Sequence, residues 1–225
     1  FFLFVNEMEA HEPYSIDLAV RNSAVYEYNF LRSIFLNSAE SHMIEHYKRY
    51  YPIHAKRSVS CVLDIVTELS KRTEIDNTLI IVTSDHGNHI GESGRVYHGY
   101  YLSDELLRVP LYVKYPRDVS SDLKVRKDYV SVTSVYRLVK SIVYDEGLEA
   151  SDLAISESYG PSHSLPIIKS FFSLTDSELK KYYSHRIRIS TQTGYLIYDI
   201  DKDITIEKSG NLDVEQIQKF REVFS

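Results

Sequence analysis

Ile80-Ile81-Val82-Thr83-Ser84-Asp85-His86-Gly87 is the stretch on which the fold and the chemistry of this chain turn. A short apolar, β-branched run bounded by turn signals reads as a buried strand. Here the strand runs straight into an acid, an imidazole and a glycine. Asp85 and His86 offer a hard carboxylate oxygen and a ring nitrogen, a mixed pair that suits a divalent cation. Successive side chains on a regular strand point to opposite faces. Two neighbours can therefore share one small site only where the strand has ended and the backbone turns. Gly87, lacking a Cβ, is expected to permit that turn. In open α/β sheets, ligands gather just past the carboxyl ends of strands.

Before this stretch, Asp76-Asn77 is a turn signal, and the strand is predicted over 78–84. Further back, Val59, Val62, Leu63, Val66 and Leu69 recur at helical spacing, predicting a helix over 55–72 with one apolar face. Cys61 lies at the edge of that face and reads as a buried, inert thiol. Residues 22–50 read as helical in pieces, with Pro52 ending the run. Phe1-Phe2-Leu3-Phe4-Val5 reads as a short buried strand, followed by a loop through Pro13. A chain opening on such a strand, with no initiating Met, is expected to be part of something longer.

After it, the loop 85–101 carries four glycines and three histidines. A helical turn is predicted over 102–107 and a strand over 109–115, with Pro110 at its start. Next come a helix over 130–144, with Val132, Val135, Tyr136, Val139 and Ile142 or Val143 on one face, and a strand over 153–158. An antiparallel hairpin follows, with 185–191 and 195–200 on either side of Gly194. A last helix is predicted over 213–224. Strands alternating with helices, then hairpin strands, predict an α/β domain over 1–160 and a small α+β subdomain over 161–225.

The chain has 225 residues, 43% of them hydrophobic and 26% charged, enough for a real core. A net charge of -6 argues against general nucleic-acid binding. No apolar run approaches the ~20 residues of a membrane span. One cysteine excludes an internal disulfide framework and fits a reducing compartment, which favours the cytoplasm. The 19 tyrosines carry no functional message in the sequence.

Among candidate site residues, Asp85 and His86 come first, as metal ligands. One pair cannot satisfy a hard ion, which takes about six ligands. His98, in the same loop, could complete a metal shell, hold an anion or protonate a leaving oxygen. His89 lies between them. His11 sits in a loop stiffened by Pro13. Glu7, Glu9 and Glu12 read as a solvated acidic loop, and His42, His46 and His54 as ordinary residues on helical surfaces.

In this order, the pieces resemble the carboxyl-terminal portion of the sulfatase family, within the alkaline phosphatase superfamily. The likeness rests on four stretches. The first is the apolar opening followed by His11-Glu12-Pro13-Tyr14. The second is Asp76-Asn77-Thr78 through Asp85-His86-Gly87, with Gly91-Glu92 after it. The third is His98-Gly99 through Arg108-Val109-Pro110, and the fourth Ser156-Glu157 with the hairpin after it. The resemblance implies an alkaline-phosphatase-like three-layer sandwich with a mostly parallel sheet. It implies a metal-dependent hydrolase of sulfate esters, acting on a sulfated sugar or an aryl or alkyl sulfate. Asp85 and His86 would hold one divalent ion, calcium first, with magnesium, manganese or zinc as alternatives. His11 would contact the ester near its leaving oxygen, and His98 its anion. Many sulfatases carry Asn where His86 stands; His there is common in bacterial sulfatase-like and phosphoester-cleaving relatives, which leaves the metal identity open. The family's Cys/Ser-x-Pro-x-Arg nucleophile motif is absent from these residues, so the nucleophile is expected upstream and this stretch alone is expected to be inactive. The alternatives are a phosphate or phosphonate ester hydrolase or phosphotransferase, and a non-catalytic remnant that binds an anionic glycan or a partner.

Overall fold

A computed structural model describes residues 2–14, 23–119, 130–144, 153–161, 165–212 and 215. In chain order its elements are helices α1 (Ser23–Leu36) and α2 (Ser41–Ser70), then strands β1 (Ile80–Thr83), β2 (His89–Ile90) and β3 (Val96–Tyr97). Helix α3 (Asp104–Leu107), strand β4 (Leu111–Lys114), helix α4 (Ser134–Tyr144) and strand β5 (Ala154–Ser158) follow. Helices α5 (Leu165–Phe171) and α6 (Asp176–Lys180) precede strands β6 (Arg186–Thr191), β7 (Gly194–Asp199) and β8 (Ile204–Ser209). The mixture of helices and strands is the α/β class read from the sequence. The helix predicted over 213–224 lies outside the described residues. Among the described residues no helix is long and apolar enough to cross a membrane.

The chain divides into two compact units. The first comprises Phe1–Asp76, Asp85–Gly99 and Ser164–Phe172. Its core is aromatic: Tyr14, Tyr26 and Tyr47 are buried with Ala39, Met43 and Val96. The Tyr14 and Tyr47 rings meet edge-on at 5.2 Å, an arrangement that suits their quadrupoles. Several of the tyrosines conspicuous in the composition are thus core residues. Asn29 and Ser33 of α1 tie the core to the chain that follows. Asn29 Oδ1 accepts from the Glu40 N–H at 2.9 Å, and Ser33 Oγ from the Val96 N–H at 3.3 Å.

Pro52 does not end the helical run; it lies inside the 30-residue α2. A proline removes one backbone donor and crowds the preceding turn. In α2 the first half supplies buried Met43, Tyr47 and His54, so packing of that face outweighs the local cost. No residue of the apolar face predicted for the second half is fully buried: Val59 is 57% and Leu63 59% exposed, and Val62, Val66 and Leu69 are half-buried. Cys61 is exposed there too, which corrects the expected buried thiol. The opening Phe2–Val5 run is likewise exposed, Phe2 by 88%, and forms no strand. An apolar run shows a wish to be covered, whereas a strand needs a paired neighbour, and none pairs with it among the described residues.

The second unit comprises Asn77–Ser84, Tyr100–His163 and Ser173–Ser225. Here β1 pairs with β4 antiparallel, Ile80 opposite Lys114 and Thr83 opposite Leu111. A second sheet runs β5-β6-β7-β8, antiparallel throughout. All strand pairs in the described residues are antiparallel. The hairpin read around Gly194 is present as β6 and β7, with Thr191 opposite Gly194. Ile187, Ile189, Leu196, Tyr198 and Leu212 form its core. On β6 the intervening Arg188 is buried as well. Its guanidinium meets the Asp104 carboxylate, donates to the Leu102 carbonyl at 2.8 Å and lies 4.0 Å from the centre of the Tyr195 ring. Strand β8 is exposed along its length and carries Glu207 and Lys208, charges that discourage pairing with another chain at an edge. In α4 the buried positions are Ser134, Leu138 and Ser141; Val132 and Tyr136 of the predicted face are exposed.

Candidate active site

The site lies in the first unit and is assembled from two loops, 6–14 and 85–99. In the first loop, the Tyr14 hydroxyl donates back to the Ala10 carbonyl at 3.0 Å and curls the backbone between them. That curl presents His11 outward and turns Glu12 inward: His11 is exposed, and Glu12 retains 6% exposure. The second loop begins directly after β1 in sequence. Its left-handed residues are Gly91 (φ 129°), Ser93 (53°), Gly94 (73°), Tyr97 (76°) and Gly99 (109°). Gly87, expected to make the reversal, is not among them. The β2–β3 ladder, with His89 opposite Tyr97, returns the chain so that His98 lies beside His86.

Three imidazoles converge. The His86 and His98 rings stack at 4.1 Å, and His11 meets His98 edge-on at 5.4 Å. The Tyr97 ring also stacks on His98, at 4.4 Å. Burial first, then the charges of Glu12 and Glu27, push the Tyr97 phenol up to about 12. It therefore stays neutral at physiological pH.

Each of the three rings has its Nδ1 against an oxygen that can only accept. His11 Nδ1 lies 2.5 Å from the Glu12 carbonyl, and His86 Nδ1 lies 2.9 Å from the Gly87 carbonyl. His98 Nδ1 lies 2.8 Å from Asn88 Oδ1. The proton of a neutral ring is thus on Nδ1, and the lone pair on Nε2.

Asp85 is 86% exposed at its side chain, and its Oδ1 accepts the His86 N–H at 2.9 Å. Its Oδ2 lies 3.7 Å from His86 Nε2. A carboxylate oxygen and an imidazole lone pair at that separation, one of them open to solvent, fit two ligands of one small ion.

Glu12 is a residue that the sequence reading placed in solvent. Its Oε1 is 3.0 Å from His98 Nδ1, and its Oε2 accepts from Asn88 Nδ2 at 2.9 Å. Burial pushes the Glu12 carboxyl up, but the contact and charge of His98, with Asn88, outweigh it and hold the group below the usual carboxylate range. One nitrogen or oxygen each from His11, Glu12 and His98 lies within 4.8 Å of the others. Glu12 Oε1 faces a ring nitrogen that carries a proton, so an ion bound there would have to displace that proton. At Asp85 and His86 no such displacement is needed, because the nitrogen facing Asp85 Oδ2 is Nε2.

His54 is not on a helical surface but buried. Its Nδ1 lies 3.2 Å from the Glu9 carbonyl and 3.2 Å from Glu9 Oε1. Glu9 also meets Arg57 at 3.3 Å, and Glu7 accepts from the Ser58 hydroxyl, so neither is a purely solvated acid. Met8, Glu9, His11, Glu12, Pro13 and His54 line a cavity of about 200 Å³ beside His11. His89 is buried, with Nδ1 3.9 Å from Glu92 Oε2, and belongs to the loop's scaffold.

A sulfatase family profile matches residues 1–139 of the chain. The chain belongs to the sulfatase family. All four residues singled out from the sequence, His11, Asp85, His86 and His98, fall inside the matched region. Among solved structures, the sulfatase-family chain is similar to BT4656 in complex with its substrate D-glucosamine-2-N,6-O-disulfate. The identity is 19% and the TM-score 0.44, over 78% of this chain and 35% of that one. The chain thus spans about a third of that protein's length. No curated protein matches.

Proposed function

We propose that this chain carries part of the active site of a hydrolase of sulfate esters. The observation that carries the reading is the meeting of His11, His86 and His98 in one unit, next to Asp85. Asp85 and His86 would hold a divalent ion, calcium first. Such an ion, when bound, polarises an ester oxygen and offsets charge on it. His98, in its protonated form with a proton on Nε2 as well as Nδ1, holds the anionic end of the ester. His11, which lines the cavity, stands near the leaving oxygen and, when protonated on Nε2, supplies its proton. The cavity receives the organic part, a sugar, aryl or alkyl group. The nucleophile comes from sequence outside these residues, in a Cys/Ser-x-Pro-x-Arg motif. In the complete protein we place β1 in the mostly parallel sheet of a three-layer sandwich.

The test uses the full-length protein with matched aryl sulfate and aryl phosphate substrates. Faster turnover of the sulfate is expected, together with a stoichiometric divalent metal by elemental analysis. Faster turnover of the phosphate would transfer the site to phosphate or phosphonate esters. Absence of both metal and turnover would leave a binding remnant.

A further inference from the structure

We propose that Glu12 and Asn88 are positioning residues that clamp His98 by its Nδ1 edge and thereby fix where its Nε2 edge points. The clamp is a closed set of polar contacts within the first unit. Asn88 Oδ1 takes the His98 Nδ1 proton at 2.8 Å. The other end of the same amide donates to Glu12 Oε2 at 2.9 Å and to the Tyr14 hydroxyl at 2.5 Å. The amide's orientation is therefore determined. Flipped, it would turn its oxygen on a carboxylate and its NH₂ on a ring N–H.

Glu12 Oε2 is occupied by Asn88 and by the Tyr14 hydroxyl at 3.2 Å. Glu12 Oε1 is buried with no hydrogen bond of its own, and lies 3.0 Å from His98 Nδ1. A buried carboxylate oxygen left without a donor is costly unless a compensating group stands beside it. Here that group is the imidazole edge.

The faces of the ring are held as well. His86 and Tyr97 stack on it with interplanar angles of 28° and 12°. With one edge tied and the faces packed, rotation about χ2 would break the Asn88 bond and both stacks together. Each clamp residue adjoins a proposed site residue in the chain. Glu12 follows His11, and Asn88 stands two places after His86. The two loops are joined through His98 at the position where it must meet an anion.

The kinetic arm of the test rests on the sulfatase reading; the spectroscopic arm does not. Side-chain ¹⁵N–¹H spectra of the full-length protein should show a His98 Nδ1–H signal protected from exchange. Asn88→Ala and Glu12→Gln should lose or shift that signal. They should also lower kcat/KM on an aryl sulfate by about 10–100-fold, the usual cost of losing an orienting partner. Should Glu12→Gln not fold, Asn88→Ala, in a loop, decides alone. An unchanged His98 signal in the variants overturns the clamp, whatever the kinetics. A lost signal in a protein that turns over neither ester supports the clamp and overturns the sulfatase reading instead.

Discussion

Asp85 is the residue on which the proposed chemistry most directly depends, and its exposure makes it a clean test. Asp85→Ala in the full-length protein should lower metal content. It should also lower activity by more than about 100-fold, beyond the loss typical of an outer-shell partner. Stability should stay within about 0.5 kcal/mol, as for most surface substitutions. Elemental analysis, kinetics and a thermal melt read the three effects; activity that survives would remove Asp85 from the site. Gly91 offers the opposite case. Its φ is 129°, and an added Cβ would lie 2.6 Å from Ile44 Cγ2. Gly91→Ala should therefore cost about 1–3 kcal/mol, the range for overpacking a filled site, in a urea titration. At this scale the sequence was legible where a residue's chemistry is unusual for its place: an acid and an imidazole behind an apolar strand, a histidine before a proline. Glu12 was not legible, because an acid among other acids looks solvated until the Tyr14 curl turns it inward. Asn88 had no signal at all; its role exists only through three partners distant in sequence.

Elements were legible where local preference and tertiary packing agree. The strand 80–83, the hairpin around Gly194 and the helix 134–144 have the type and place expected of them. Where the two disagree, packing decides. The aromatic core holds α2 through Pro52, and serines rather than valines face inward on α4. A short element shows the value of local chemistry alone. Helix α6 opens with a capping box: Thr175 Oγ1 accepts the Glu178 N–H at 3.3 Å, and Glu178 Oε2 accepts the Thr175 N–H at 2.8 Å. Thr175→Ala should destabilise the protein by about 1 kcal/mol, the usual worth of an N-cap, with Thr175→Ser nearly neutral by chemical denaturation.

For the molecule as a whole, the strand pairings are the part that periodicity could not supply. Alternation and apolar runs mark strands but do not name partners, so the antiparallel pairing of β1 with β4 emerges only from the structure. One buried acid gives the protein a pH signature. Burial pushes the Asp199 carboxyl up, but the Ser184 hydroxyl at 2.5 Å and Lys202 at 3.1 Å outweigh it and hold the group below the usual aspartate range. A depressed folded value means stability that is present above the unfolded value of about 3.9 and is lost as pH falls through the folded one. Melting temperatures should therefore drop below about pH 5, less steeply in Asp199→Asn than in the native chain. Finally, α2 is one rod with two fates. The amide that Pro52 lacks leaves the carbonyl one turn earlier without its helical donor. On one side of that gap lie interlocked tyrosines; on the other, beyond buried His54, the apolar face is at most half-buried. Deuterium should enter the amides of 59–70 well before those of 43–51, so that fraying runs inward along the rod and halts at the proline.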